Sequence, residues 1–380
     1  MGARRINMRG VWERVGVAVL VGGLVIASTA RPSRAQVTKG LWVANSGGPT
    51  VPEFAAAQTA TGGVSSPIPT LINMSGSFFS PQDTVFDSHN NLWVVDGGDG
   101  TGDTTEGVFQ FTNAQLRALG TDSKPTPAFA ITNSGGVPGF VFPQFGVFDR
   151  VGNLYVADPG VDVIFIFTAA QLSSGSGTGL APAAAFKVDG SVAILGLAFN
   201  KGNLYLADNG DAQIFVINGA HIPTSGGTAA SPTLISPDVI LSSNHNATFA
   251  SIDGPWGLVF DAAGDLLFSN EGIILNSGPS VVEFAASSLT ASGTPTPAIQ
   301  FIPKISRSGA SIADPQGVSL DNLGDLAVSN DANNSIAVFA ARDLTGGGGE
   351  VFPETFLVGP PTTIKAPTGL IFGPNLRSTP

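Results

Sequence analysis

The residues with the most evident capacity for chemistry lie in one run, Asp96-Gly97-Gly98-Asp99-Gly100-Thr101-Gly102-Asp103-Thr104-Thr105-Glu106. Its glycines let the backbone wrap, and several carboxylates in one short loop suit a hard, oxygen-seeking cation such as Ca²⁺. Asp96, Asp99 and Asp103 are the expected ligands, although the spacing is not that of an EF-hand. The competing reading is a solvated turn in which Asp96 caps its own backbone. Asp158 and Asp208 end similar strings and are candidates for acid–base work, but aspartates so placed also serve simply as turn-formers. The chain has three histidines, His89, His221 and His245. His245 sits in a polar run ahead of Trp256 and is a further candidate for catalysis or ligand contact. Phe140, Phe142, His245 and Trp256 are expected to line a pocket, and loop packing is the other use for the phenylalanines. Without Cys there is no disulfide, thiolate metal site, Cys nucleophile or thioether-linked haem. The chain also lacks a G-x-S-x-G elbow, an H-E-x-x-H pair, a phosphate loop with Lys and a dinucleotide fingerprint.

The elements that must position these residues are built from an uncommon composition. Charged residues make up 12% of the 380, against about 25% in ordinary soluble domains. Hydrophobic residues are 43% and include 25 Phe, enough for a large core. Gly and Pro number 49 and 27, too few for a disordered low-complexity chain. Residues 1–35 read as an export signal: Arg4, Arg5, Arg9 and Arg14 precede the uncharged run Val15–Ala30, and Ser33-Arg34-Ala35 places cleavage before Gln36. An uncleaved anchor is the alternative, although the run is shorter than the ~20 apolar residues of a membrane span. Six of the 17 Lys+Arg and one of the 28 Asp+Glu fall in that segment, so residues 36–380 carry a net charge of −16. Such a surface repels nucleic acid and anionic lipid and leaves cations, neutral glycans and basic peptides as partners.

A repeat sets the architecture. The strings LWVAN (41–45), LWVVD (92–96), LYVAD (154–158), LYLAD (204–208), LLFSN (266–270) and LAVSN (326–330) recur at intervals of 50 to 62 residues. Ahead of all but the first stands a partner: PQDTVFD (81–87), PQFGVFD (143–149), ILGLAFN (194–200), PWGLVFD (255–261) and PQGVSLD (315–321). Turns such as Arg150-Val151-Gly152-Asn153 join each pair into a hairpin. A third strand ends on Phe54, Phe111, Phe167, Ile217, Phe284 or Phe339 and is followed, as at Thr168–Leu172, by a capped helical turn. Fourth strands are expected at 69–72, 128–131, 184–187, 232–235, 298–301 and 355–358. Six four-stranded antiparallel units with no crossover helix predict an all-β, six-bladed propeller as a single domain over 36–380. The first unit lacks an inner strand and the chain ends on an orphan one, Pro367–Phe372, so both termini are expected to close one shared blade.

The string P-x-G-L-x-F-D-x-x-G-N-L-Y-V-A-D, best matched by 255–270 and 143–158, resembles the NHL repeat of six-bladed propellers over about residues 37–375. The T-G-N-x-R-I continuation of that repeat is missing, and the third-to-fourth connections are longer. The resemblance implies a functional face made of the fourth-to-first and second-to-third connections. On it fall Asp96, Asp99, Asp103, Glu106, Asp158, Asp162, Asp208, Asp211, Glu271 and Asp331, and of the histidines only His245. A three-His zinc centre is thereby excluded. Lactonases of similar fold imply an axial metal held by Glu, Asn and Asp, for which Asn270, Asn330, Asp158, Asp208 and Glu271 are the candidates, yet no inner strand starts with the Glu such a site uses. The expected function is therefore a secreted or periplasmic, non-catalytic binding module for a glycan, peptide or protein, monomeric and free of a membrane span once cleaved. The alternative is a Ca²⁺-assisted lactonase or lyase working at the acidic face.

Overall fold

The computed structural model describes residues 39–374 except 74, 104, 121–122, 175–176, 244–250, 276, 304–313 and 345–348. Six sheets form a ring of blades, each with its first strand innermost. The inner strands are Pro367–Pro374, Pro81–Phe86, Phe145–Phe148, Ile194–Asn200, Pro255–Phe260 and Pro315–Leu320, here numbered blades 1 to 6. The repeated strings are the second strands, buried on both faces because each blade is sandwiched between two others. That double burial explains why they read as continuous apolar runs rather than as alternating ones. Closure is as the sequence predicts: Lys39–Asn45 pairs antiparallel with Pro367–Pro374, Trp42 opposite Ile371. The ring is thus locked by main-chain hydrogen bonds between the two ends of the described chain. The predicted cleavage position before Gln36 lies outside the described residues. Among the described residues no helix is long and apolar enough to cross a membrane.

Each motif position has a physical task. The aromatic residue of the second strand meets the last aromatic of the next blade's inner strand edge to face, giving Trp42–Phe86 at 6.1 Å, Trp93–Phe148 at 5.6 Å, Tyr155–Phe199 at 4.9 Å and Tyr205–Phe260 at 4.7 Å. The hairpin aspartates Asp87, Asp149, Asp261 and Asp321 each accept backbone N–H bonds from their own turn. The residue closing that turn caps the helical turn after the third strand: Asn153 Oδ1 accepts from Ala169 N and Asp265 Oδ1 from Ala286 N. The inner-strand glycines allow blades to converge, since a Cβ on Gly257 or Gly317 would stand 2.7 or 2.5 Å from a carbonyl oxygen of the next blade.

Two expectations about the outer strands change. The fourth strand of blade 4 is Val239–Ser242, paired with Gln213–Val216, and not 232–235. Thr233–Ile235 instead lies parallel to Phe186–Val188 of blade 3. The sequence PTLI is common to 69–72 and 232–235, but strand propensity does not say which edge a segment will join. The long connections explain the difference, because every third-to-fourth connection reaches back to the outer strand of the preceding blade. Gly177–Thr178, Thr233–Ile235, Gly349–Val351 and Gly63–Ser65 add a fifth, parallel strand to blades 2, 3, 5 and 6. Ser123 and Gly293 make single parallel bridges to Asn73 of blade 1 and Leu241 of blade 4. The ring is therefore clasped at its rim as well as at its axis, and every outer strand has a partner for its exposed edge.

Candidate functional site

The last residue of each second strand, Asn45, Asp96, Asp158, Asp208, Asn270 or Asn330, is fully buried beneath the loop face. Asn45 (through Thr363 O and Lys365 N), Asp96, Asp158, Asp208 and Asn270 tie down the connection that feeds their own inner strand, and Asn330 donates to Ser335. Asp96 accepts from Phe79 N, Ser80 N and Gly98 N, all at 2.9 Å. Asp158 accepts from Val141 N at 2.7 Å and from Phe142 N and Gly160 N at 2.9 Å. Asp208 takes Val192 N and Ala193 N, and Asn270 Oδ1 takes Asp253 N. Burial pushes Asp96 and Asp158 up to about 6, against the backbone bonds that favour their anions, and raises Asp208 in the same way. Asp158 and Asp208 therefore stand with their carboxylate oxygens occupied by backbone donors, as loop anchors.

The glycine-rich loop gathers a different trio from the one its sequence nominates. Asp99, Asp103 and Glu106 each bring an oxygen within 4.8 Å of the others, while Asp96 is committed to the neighbouring connection. Asp99 and Asp103 are exposed and Glu106 is fully buried. Glu106 Oε1 accepts from Thr101 N and Gly102 N, both at 3.0 Å, and its buried Oε2 has no partner. Asp99 is held below its ordinary value by hydrogen bonds to Thr101, first from the side chain.

A second carboxylate group lies where blades 4, 5 and 6 converge. Asp314 stands near enough to both Glu271 and Asp331 for its charge to act on each. Burial first, then Asp314, raises Glu271 to about 7; burial and the Asp314 charge raise Asp331 to about 6. Asn209 Nδ2 donates to Glu271 Oε2 at 3.3 Å, and Gln316 Nε2 donates to Asp314 Oδ2 at 3.4 Å. The half-buried Trp256 turns its indole N–H toward Glu271 without closing a hydrogen bond. Buried Asp314 Oδ1, Asp331 Oδ1 and Gln316 Oε1 lack partners. The loop face exposes Val192, Ile273 and Ile274 in the connections of blades 4 and 5, and Phe79 across the ring at blade 2. Sequence reasoning placed Glu271 and Asp331 here and missed Asn209 and Asp314, which fall outside the repeat strings, and Gln316, whose string marks an inner strand rather than a site.

Phe140, Phe142 and Trp256, the described members of the expected pocket, have separate packing partners. Phe140 is fully buried in the core, 5.1 Å from Phe165, and its carbonyl accepts from Asn133 Nδ2. Phe142 packs over Gly97, and Trp256 packs on Phe145 at 6.2 Å near the axis. His245 lies outside the described residues. His221 bonds Asp238 at 2.7 Å on the opposite face, and His89 stands in an exposed hairpin there. Acidity is not confined to the loop face either, since Asp87, Asp149, Asp261 and Asp321 fill the hairpin face.

On the axis, a channel of about 270 Å³ is lined by all six inner strands and contains one charged group, Asp83. Asp83 stands where blades 1, 4, 5 and 6 have glycine, a departure visible on aligning PQDTVF with PWGLVF. It accepts from Gly146 N of blade 3 at 3.1 Å, and burial pushes it up to about 7.

No protein-family model matches the chain, and no curated protein matches it in sequence. Solved structures do match in fold. A functionally unknown protein from Desulfotomaculum acetoxidans is 14% identical with a TM-score of 0.52, covering 88% of this chain and 99% of that one. A Bacteroides fragilis protein named for 6-phosphogluconolactonase is 14% identical with a TM-score of 0.50, over 89% and 99%. A chain from a nidogen/laminin complex is 11% identical with a TM-score of 0.50, also over 89% and 99%. At these identities the likeness is one of fold.

Proposed function

We propose that this propeller is an exported, non-catalytic binding module whose loop face takes a basic segment of a peptide or protein partner. The observation that carries the reading is the Glu271, Asp314 and Asp331 group beside the half-buried Trp256. Adjacent carboxylates at raised pKa are stabilised by an incoming Lys or Arg, which relieves their repulsion and can lie over the indole. The exposed Val192, Ile273 and Ile274 on the same face supply apolar contact around that anchor. That a similar ring occurs in a nidogen/laminin complex is consistent with a protein partner. The test is titration of the protein with a lysine-rich peptide and a glutamate-rich control at two salt concentrations. Binding of the basic peptide alone, weakened by salt and lost in Glu271→Gln/Asp331→Asn, is expected. Equal indifference to both peptides overturns the reading.

The second reading, a lactonase or lyase aided by a divalent cation, draws on Glu271, whose value of about 7 suits a general base at neutral pH. Hydrolysis of a δ-lactone that needs added Ca²⁺ and is abolished by Glu271→Gln would favour it over the binding module.

We further propose Asp99, Asp103 and Glu106 as a structural Ca²⁺ site. The support is the fully buried Glu106 Oε2, left without a partner among acidic ligands, where a cation would supply the missing interaction.

A further inference from the structure

A cleft between two blades opens on the hairpin face, opposite the acidic group. It lies between blades 3 and 4, has a volume of about 720 Å³, and is lined among others by Arg150, Tyr155, Phe199, Lys201 and Asn203. This lies within the ~300–1,000 Å³ typical of small-molecule sites. Equivalent clefts differ in charge. That between blades 2 and 3, of about 430 Å³, is lined by Asp87 and His89 and by no Lys or Arg. That between blades 5 and 6, of about 450 Å³, is lined by Asp261 and Glu283, again without a Lys or Arg. In a chain with 17 Lys+Arg, two in the hairpins of one cleft outnumber the single acid in its lining, Asp149, a local reversal of the overall charge.

Tyr155 is the second, independent observation. Its side chain is 6% exposed and wedged against Phe199, yet its hydroxyl has no hydrogen-bond partner among the described residues, and the residue lines the cleft. Burial first, then the nearby Asp149 charge, pushes it up to about 12, so it remains a neutral donor. Asp149 is itself occupied by Val151 N, Asn153 N and Asn153 Nδ2 at 2.8 to 2.9 Å. Asn203 Oδ1 accepts from Gly219 N at 3.4 Å, and its N–H₂ has no partner among the described residues. Phe199 leaves part of its ring uncovered.

We infer that this cleft binds a carboxylated sugar, a uronic-acid residue free or within an oligosaccharide. Arg150 takes the carboxylate, joined by Lys201 once its ammonium swings from its place beside Gly264 of blade 5. The Tyr155 hydroxyl and the Asn203 amide take ring hydroxyls, and Phe199 takes the apolar face of the ring. The inference does not depend on the acidic-face reading, because the residues and the face are different.

Titration calorimetry of the protein with trigalacturonate, galactose and acetate at low salt tests it. Saturable binding of trigalacturonate, at least tenfold tighter than either galactose or acetate, is expected. Arg150→Ala/Lys201→Ala should weaken it at least tenfold with an unchanged melting temperature, the loss of a charge-assisted contact. Tyr155→Phe should weaken it by about fivefold, the scale of one neutral hydrogen bond. Absence of saturable trigalacturonate binding overturns the inference. So does equal binding of galactose or acetate, or undiminished binding by the double variant.

Discussion

Replacing Asp83 by Asn removes the one charged group from the axial channel and should make the protein more stable at neutral pH. Burial holds the folded-state pKa near 7, against the ordinary 3.8. The folded protein therefore keeps a proton that the unfolded chain has lost between about pH 4 and pH 7. Across that window the stability contributed by Asp83 is fully present at the acid end and is lost as pH rises, reversing the usual carboxylate behaviour. A difference of about three units, at 1.36 kcal/mol each, sets a ceiling of about 4 kcal/mol. The Asn carbonyl still accepts from Gly146 N, but its buried N–H₂ without an acceptor costs about 1–3 kcal/mol. A net gain of about 1–3 kcal/mol at pH 8, shrinking to zero or below by pH 4, is the expected result. Urea denaturation of both proteins between pH 4 and pH 8, followed by tryptophan fluorescence, measures it. The difference between the two curves isolates Asp83 from Asp96, Asp158, Glu271 and Asp331, which titrate in the same direction in both proteins. A variant less stable than wild type at pH 8, or a difference independent of pH, would refute the assignment of Asp83 as a buried, unrelieved charge.

Truncation before Pro367 removes the inner strand of blade 1 and should destabilise the whole ring; an unchanged melting temperature would show that closure by this strand is dispensable. Ca²⁺ should raise the melting temperature, by about 2.7 kcal/mol of stability at a concentration 100 times the dissociation constant. Asp99→Asn/Asp103→Asn should abolish that response, and identical melting curves in Ca²⁺ and chelator would leave the loop a solvated turn. Gly317→Ala should cost about 1–3 kcal/mol, because its Cβ would meet the Thr368 carbonyl oxygen of the next blade at 2.5 Å; an unaltered denaturation midpoint would refute that close approach.

The sequence by itself determined the ring. Leu41, Leu92, Leu154, Leu204, Leu266 and Leu326 recur in strings of fixed length, each preceded by a hairpin partner everywhere but at the chain's start. Local periodicity and turn chemistry suffice to define hairpins, and the orphan strand at 367–372 left one place for itself. The Asx turns of Asp87, Asp149, Asp261 and Asp321 act over four residues and so are a local property of the sequence. What tertiary structure decided are the pairings between segments far apart in sequence. Whether 232–235 joins its own blade or the preceding one depends on which edge lies open beside it. Likewise Asp96 faces Phe79 and Ser80 rather than Asp99 and Asp103, so Glu106 completes the trio in its place. Asn209, Glu271, Asp314 and Asp331 come from three blades and meet only because the inner strands converge on the axis. Their raised pKa values, like that of Asp83, arise from burial, a property that no local pattern of residues encodes.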